Sequence, residues 1–321
     1  MNGGDITLQT KLIQRASFIK KIRDFFFERG VLEVETPQLS HAIGTDPHLH
    51  YFTSEFSLPG GTSKQLLYLQ TSPEFAMKRL LAAGSGSIFQ ICKAYRNGEV
   101  GRNHNPEFTI LEWYRVGFTH HDLMDEMDDL LKHVIASKTA SRMSYQSLFE
   151  THFDFNPHNI TLSQLFEKTK NLNLDKNLTA NFDKDTCLHY LLSTYIEPQL
   201  GLDAPLFVYD YPASQAALAR LRSCENYHVA ERFEVYIKGV ELANGFHELN
   251  DANEQLRRFN HDLNFRKTQG YPIPKIDQRF LDALPSLPNC AGVALGIDRL
   301  IMLATQNTCI DDVIAFPYQK A

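Results

Sequence analysis

The sequence has 321 residues, 43% of them hydrophobic and 22% charged, with a formal net charge of −6; this is the balance of a globular enzyme, long enough for one large domain or two ordinary ones. There is no apolar run of the roughly 18 residues a membrane span needs, the polar start Met1–Thr10 is unlike a signal peptide, and the five scattered cysteines suggest neither a disulfide framework nor a zinc site. The acidic total argues against nucleic acid, because Lys and Arg on phosphates supply most of that affinity, and a reducing cytoplasm fits.

The chain shows no internal repeat and no low-complexity linker. Leu12, Ala16, Ile19, Ile22 and Phe26 recur at helical spacing, and Gly30 stands where a helix ends. Val31–Glu35 alternates apolar and acidic residues and predicts a half-exposed strand that Pro37 ends. A loop or irregular region follows over 41–61, then a strand over 66–70 and a helix over 74–83 with Phe75, Met77, Leu80 and Leu81 inward. Strands over 87–95 and 107–116 flank a polar loop, 97–105, and are expected to pair antiparallel. A helix is expected over 121–137. Residues 140–205 read as helical, with a polar run over 168–185. Strands follow over 205–211, 233–242 and 291–295, and a helix over 298–305 with Asp298 as its N-cap. Strands with helices segregated between them give an α+β class.

Three stretches concentrate chemistry. The first, Tyr95–Phe108, places Arg96, Arg102, Glu99, Glu107, His104 and Phe108 on one hairpin. Arginine's planar fork of donors suits a carboxylate or phosphate, so this mobile polar loop reads either as a lid on a nucleotide or as a solvated tip. The second runs from Glu234 to Glu248. Residues at odd separation face opposite sides of a strand, so Glu234 and Glu241 share a site only if a bulge or twist intervenes. Mg²⁺ between carboxylates and phosphate is one way to compensate such acids among apolar neighbours, and solvated glutamates at a sheet edge are the other reading. The third is Gly292–Leu300, where glycines on a strand admit a ligand close to the backbone and Arg299 sits in a first helical turn, an unfavourable place for a cation without an anionic or aromatic partner. His48, His50, His104, His120, His121 and His247 show no zinc spacing.

Together and in this order, the stretches resemble the catalytic core of class II aminoacyl-tRNA synthetases, an antiparallel sheet flanked by helices. Val31–Pro37 is similar to motif 1, Phe89–Tyr114 to motif 2 and Gly292–Met302 to motif 3. "HNPEFT" (104–109), "ELANGFHELNDA" (241–252) and "GIDRL" (296–300) are close to the lysyl subgroup. The resemblance covers residues 11–321 as one catalytic domain after a tail of residues 1–10, without an anticodon-binding OB domain. Phe25–Pro37, "TSPE" (71–74) and "PASQAALA" (212–219) resemble stand-alone lysyl-type ligases. Those form an aminoacyl-adenylate of (R)-β-lysine or lysine with ATP and pass it to a lysine side chain of elongation factor P.

The resemblance implies roles position by position. Arg96 bridges the substrate carboxylate and the α-phosphate, and Arg299 lies on the other side of the nucleotide, so both are the catalytic pair. Asn97, Gly98, Asn105, Phe108, Glu241, Leu242 and Gly296 complete the ATP set, with the Phe108 ring under adenine. Glu234 and Glu241 hold Mg²⁺. Ser72, Pro73, Glu74, Tyr114, Asn244, Glu248 and Ala294 form the substrate set, with Glu248 and Tyr114 at the ε-ammonium and Glu74 at the other amine. Gly98 stands where the family usually has the glutamate of Arg-Asn-Glu, which moves that acid to Glu99. A homodimer through motif 1 is expected and tRNA is not. The readings left beside this one are a truncated paralogue that charges tRNA, an ammonia-using asparagine synthetase, and a regulator-binding pseudoenzyme.

Overall fold

A computed structural model describes residues 7–61, 64–172, 182–224 and 226–321. Most of the tail 1–10 and part of the polar run 168–185 lie outside the described residues. Among the described residues the helices are α1 Leu8–Glu28, α2 Glu74–Ala82, α3 His120–Ile135, α4 Tyr145–Phe153, α5 Leu162–Lys168, α6 Lys184–Leu191, α7 Ala252–Thr268, α8 Gln278–Ala283 and α9 Ile297–Ala304. The strands are β1 Leu32–Glu33, β2 Leu39–Ser40, β3 Thr53–Ser57, β4 Lys64–Leu69, β5 Ile88–Tyr95, β6 Glu107–Val116, β7 Ser141–Ser144, β8 Leu206–Pro212, β9 Leu221–Cys224, β10 Tyr227–Ile237, β11 Val240–His247 and β12 Cys290–Gly296. No described helix is long and apolar enough to cross a membrane.

The chain forms two compact units. The first takes the chain up to Gly117, His133–Ile135 and Leu249–Ala321. Its main sheet runs in the order β1, β5, β6, β12, with a separate small sheet β2, β4, β3. β5, β6 and β12 are antiparallel neighbours, whereas β1 lies parallel to β5. The expected strand over 31–35 shrinks to two residues, Leu32 and Glu33, which pair with Ile88 and Phe89. α1 packs Ile22, Phe25 and Phe26 inward, where Phe26 stacks on Phe89 at 4.7 Å and meets Trp113 at 5.2 Å. Thr7 caps its start, and Gly30 closes its end at φ +64°.

Asp298 is not the N-cap of α9. Gly296 occupies that place, and Asp298, 2% exposed, instead accepts from Arg15 at 2.6 Å and from the Thr109 N–H at 2.7 Å. That carboxylate ties α1, β6 and α9 together. α7 is anchored the same way, with charge reversed. Arg266 is fully buried and donates to the carbonyls of Thr45, Asp46, Leu49 and Pro272, which fixes the irregular stretch over 41–52.

The second unit takes Phe118–Lys132 and Ala136–Glu248. Its sheet runs β11, β10, β8, β7, with β9 also on β10; β7 is parallel to β8 and the other pairs are antiparallel. α4, α5 and α6 bury Leu148, Phe149, Leu165, Leu188 and Leu191 against Val208 and Tyr236 in one apolar cluster. Among the described residues of 140–205, helices predominate as expected, with β7 as the one strand. The strand expected over 233–242 is two strands. Lys238 (φ +50°) and Gly239 (φ +72°) turn the chain between them, the two-residue hairpin geometry that matches strand twist.

Replacing Arg266 by Leu leaves four carbonyls without their donor. The variant is expected to lose roughly 2–4 kcal/mol of stability, measured by denaturant titration of the fluorescence of Trp113, the one tryptophan, which is buried in the same unit.

Candidate active site

Strand register decides which side chains of the first unit share a face. On β6, Phe108, Ile110, Glu112 and Tyr114 alternate to one side. Across the ladder, Gly296 pairs with Ile110, Ala294 with Glu112 and Gly292 with Tyr114. On the other flank Ala94 pairs with Phe108 and Gln90 with Glu112. One face therefore carries Phe108, Glu112, Tyr114, Ala294 and Gly296, with small residues on β12 keeping the backbone approachable. Arg96 follows β5 and lays its guanidinium over the Phe108 ring, 5.0 Å from the centroid. Its terminal nitrogen is 3.8 Å from Glu99, and its buried Nε makes no hydrogen bond among the described residues. A half-buried guanidinium with a donor in reserve is suited to an anion.

The hairpin loop between β5 and β6 is held at several points by hydrogen bonds. The Asn97 N–H donates to His50 O at 2.9 Å and Ile310 N–H to Arg102 O at 2.8 Å, while Arg102 donates to Thr308 O at 2.6 Å. Asn105, 6% exposed, donates to Glu107 O at 2.6 Å and accepts from the Tyr318 N–H at 2.9 Å, so its amide pins the loop base to the C-terminal segment. Gly98 explains the altered Arg-Asn-Glu pattern. Its φ is +83° and a Cβ would meet nothing, so what favours glycine there is the backbone conformation alone. Arg299 reaches back into this loop, donating to Asn103 O at 3.2 Å and lying 2.6 Å from His104 Nε2. Burial, then the Arg299 charge, lowers the His104 pKa, so a neutral imidazole accepts from Arg299 at neutral pH. The cation expected to need an anionic or aromatic partner has found this one.

At the start of α2, the Glu74 N–H donates to Ser72 Oγ at 3.3 Å, Pro73 begins the helix, and the Glu74 carboxylate accepts from Lys78 at 2.6 Å. Lys78 is 1% exposed, a buried cation that the helical pattern did not suggest. Tyr114 donates to Glu112 Oε1 at 2.6 Å. Glu112, 2% exposed, is a site residue that sequence reasoning missed, since it lies inside an apolar strand beside the one tyrosine already singled out.

In the second unit the hairpin and a bulge resolve the parity of the glutamates. Glu234 pairs with Asn244 and Tyr236 with Glu241, the register shifting between Val235 and Tyr236. Leu242 is the extra, bulged residue, and its side chain is 2% exposed. Glu234, Glu241 and Asn244 consequently share one face, and Glu248, just past the end of β11 and bridged to Ala219, follows the same alternation. Glu234, 7% exposed, accepts from Arg232 at 2.5 Å, Tyr211 at 2.7 Å and Tyr236 at 2.5 Å. Arg232 also donates to Asn244 Oδ1 at 3.2 Å. Burial, with the Glu234 charge, pushes both phenols well above their usual pKa, so they remain donors. Burial works against the Arg232 charge, and Glu234 with its neighbours outweighs it. Arg232, Tyr211 and Tyr236 were not foreseen; the arginine two residues before Glu234 was the available signal. Glu248 is 1% exposed, and its carbonyl accepts from Arg220 at 2.6 Å.

Comparison with known proteins places these residues in context. Residues 5–320 match the family model described as tRNA synthetases class II (D, K and N). A protein of Vibrio atlanticus called elongation factor P–(R)-β-lysine ligase is 54% identical over 312 residues, 97% of this chain and 96% of that protein. Proteins of the same name from Yersinia enterocolitica and Salmonella paratyphi B are 51% and 50% identical over 311 residues, 97% of this chain and 95% of each.

Removing Arg232 leaves the enclosed Glu234 with phenols alone. Arg232→Met is expected to cost about 3–5 kcal/mol of stability, as for a buried pair broken on one side, and Arg232→Met with Glu234→Leu to recover most of it. Thermal denaturation of the single and double variants measures the difference.

Proposed function

The chain belongs to the class II tRNA synthetases of the D, K and N type, and on that premise we propose that it activates (R)-β-lysine, or lysine, with ATP and passes the acyl group to a lysine side chain of elongation factor P. The observation that carries this is similarity over 97% of the chain, at 54% identity, to a ligase of that name. The net charge of −6 supports a protein acceptor over tRNA.

The chemistry needs no protein nucleophile. The substrate carboxylate attacks the α-phosphorus, a C–O–P linkage forms, and the bond to pyrophosphate breaks. The acceptor amine then attacks the acyl carbon, an amide forms and AMP leaves. Catalysis is positioning and charge stabilisation. In this reading Arg96, whose Nε–H has no partner among the described residues, grips the α-phosphate and substrate carboxylate, and Phe108 carries adenine. Asn97, Gly98 and Gly296 offer backbone to the nucleotide. Arg299, held against His104, lies on the far side of it. Asn105 acts by holding the loop, since both ends of its amide are already engaged.

Mg²⁺ takes one or two carboxylates plus phosphate oxygens. Glu241 and Glu234 fit: Glu234 accepts three hydrogen bonds, and a carboxylate offers about four lone pairs. When bound, the ion would neutralise charge on the departing pyrophosphate. Glu248 and Glu112, both almost fully enclosed, set the cationic side-chain preference, because a carboxylate in a dry setting attracts an ammonium strongly and offers a neutral side chain nothing comparable. Glu74, Ser72, Pro73, Tyr114 and Ala294 of the first unit are read as amino-acid contacts, and so is Asn244 of the second. A homodimer formed through motif 1 suits the exposed apolar residues Leu12, Ile13, Phe27 and Leu32 of α1 and β1.

The test is pyrophosphate exchange with each lysine isomer, followed by transfer of labelled substrate to elongation factor P or to total tRNA. Exchange with β-lysine and label on the factor are expected; stable label on tRNA overturns the proposal. Glu248→Gln is expected to lower kcat/KM for the amino acid by roughly 100-fold or more, about 3 kcal/mol, with the KM for ATP unchanged.

A further inference from the structure

The opposite face of the second unit's sheet carries a polar cluster that adenylation does not use. His247 alternates away from Glu248 on β11, and its Nδ1 is 2.6 Å from Glu231 Oε2 on β10. His120, the first residue of α3, is 2% exposed, and among the described residues neither of its ring nitrogens has a partner within hydrogen-bond distance. One nitrogen or oxygen from each of His120, Glu231 and His247 lies within 4.8 Å of the others. Asp210 on β8 brings its Oδ1 to 3.6 Å from His120 Nε2.

We propose that His120, Glu231 and His247 bind one divalent transition-metal ion of the zinc class, with Asp210 beside it. Zinc bonds of about 2.0–2.2 Å put tetrahedral ligand atoms roughly 3.3–3.6 Å apart, so small side-chain rotations close the triad. Two imidazoles and a carboxylate suit zinc, cobalt or nickel and not Mg²⁺. Charge agrees with this. Asp210 and Glu231 are two anions against one cation, Arg222, which is 2.6 Å from the first and 3.7 Å from the second; a divalent ion offsets the residual negative charge. His121, whose ring lies 4.1 Å from that of His120, is exposed and stays outside the triad. The ion takes the place of the contact between His247 Nδ1 and Glu231 and joins the start of α3 to the end of β11. The residue after His247 is Glu248, so the metal stiffens the strand end that carries this carboxylate.

The test uses the full chain, stripped with a chelator and titrated with zinc chloride in excess Mg²⁺, by calorimetry and thermal melting. Cobalt chloride, read by visible absorption, reports the coordination. One equivalent of zinc with a Kd of roughly 1 µM or tighter, a raised Tm and a four-coordinate cobalt spectrum are expected. His120→Gln is expected to weaken zinc binding by about 100-fold or more, and His121→Gln to leave it unchanged. Glu231→Gln serves if circular dichroism shows that His120→Gln has not folded. Absence of stoichiometric binding in the unaltered chain, or binding that survives both ligand substitutions, overturns the proposal.

Discussion

A carboxylate enclosed by apolar strands persists only beside a cation or a set of hydrogen-bond donors, and this molecule meets that requirement repeatedly. Asp298 is held by Arg15 and the Thr109 N–H, Glu234 by Arg232 and two tyrosines, and Glu112 by Tyr114. Each enclosed acid fixes the elements that supply its partners, because leaving either side alone is costly. The same rule that stabilises the sheets determines what they accept. In the proposed function, faces built around buried acids favour a cationic amino acid, and Arg96 and Arg299, on the loop and helix beside β6 and β12, supply the donors for phosphate and carboxylate.

Preorganisation is the common thread in the first unit. The β5–β6 loop is tied to His50, Thr308, Ile310 and Tyr318, so hydrogen bonds support the hairpin that carries Arg96. Gly98 belongs to that arrangement. The left-handed turn at φ +83° suits glycine, and the acid that usually follows Arg-Asn moves one residue on, to Glu99, which sits near Arg96. Electrostatic catalysis of this kind depends on donors that need no reorganisation during reaction.

Much of the fold was legible because its strands are apolar and its turns carry ordinary signals. The strand over 107–116 was placed to the residue. The hairpin at 238–239 was missed because lysine is an unusual residue for a positive φ, and this hid the way Glu234 and Glu241 reach one face. Asp298 was read as a cap because aspartate before a helix usually is one; only long-range packing shows it bound to Arg15. Glu112, Lys78 and Arg232 were overlooked for one reason: a charged residue within an apolar run carries no local sign of its partner. His120, Glu231 and His247 come together only through tertiary structure, which spacing along the chain cannot convey.

The central claim is that enclosed carboxylates choose the substrate by charge. Pyrophosphate exchange with lysine and with norleucine, its near-isosteric analogue lacking the ε-ammonium, tests this most directly. The account predicts discrimination of roughly 10⁴-fold or more in kcat/KM, as for a site built around a polar substrate group. Activation of norleucine within about 10-fold of lysine, the scale of a merely hydrophobic pocket, would contradict it.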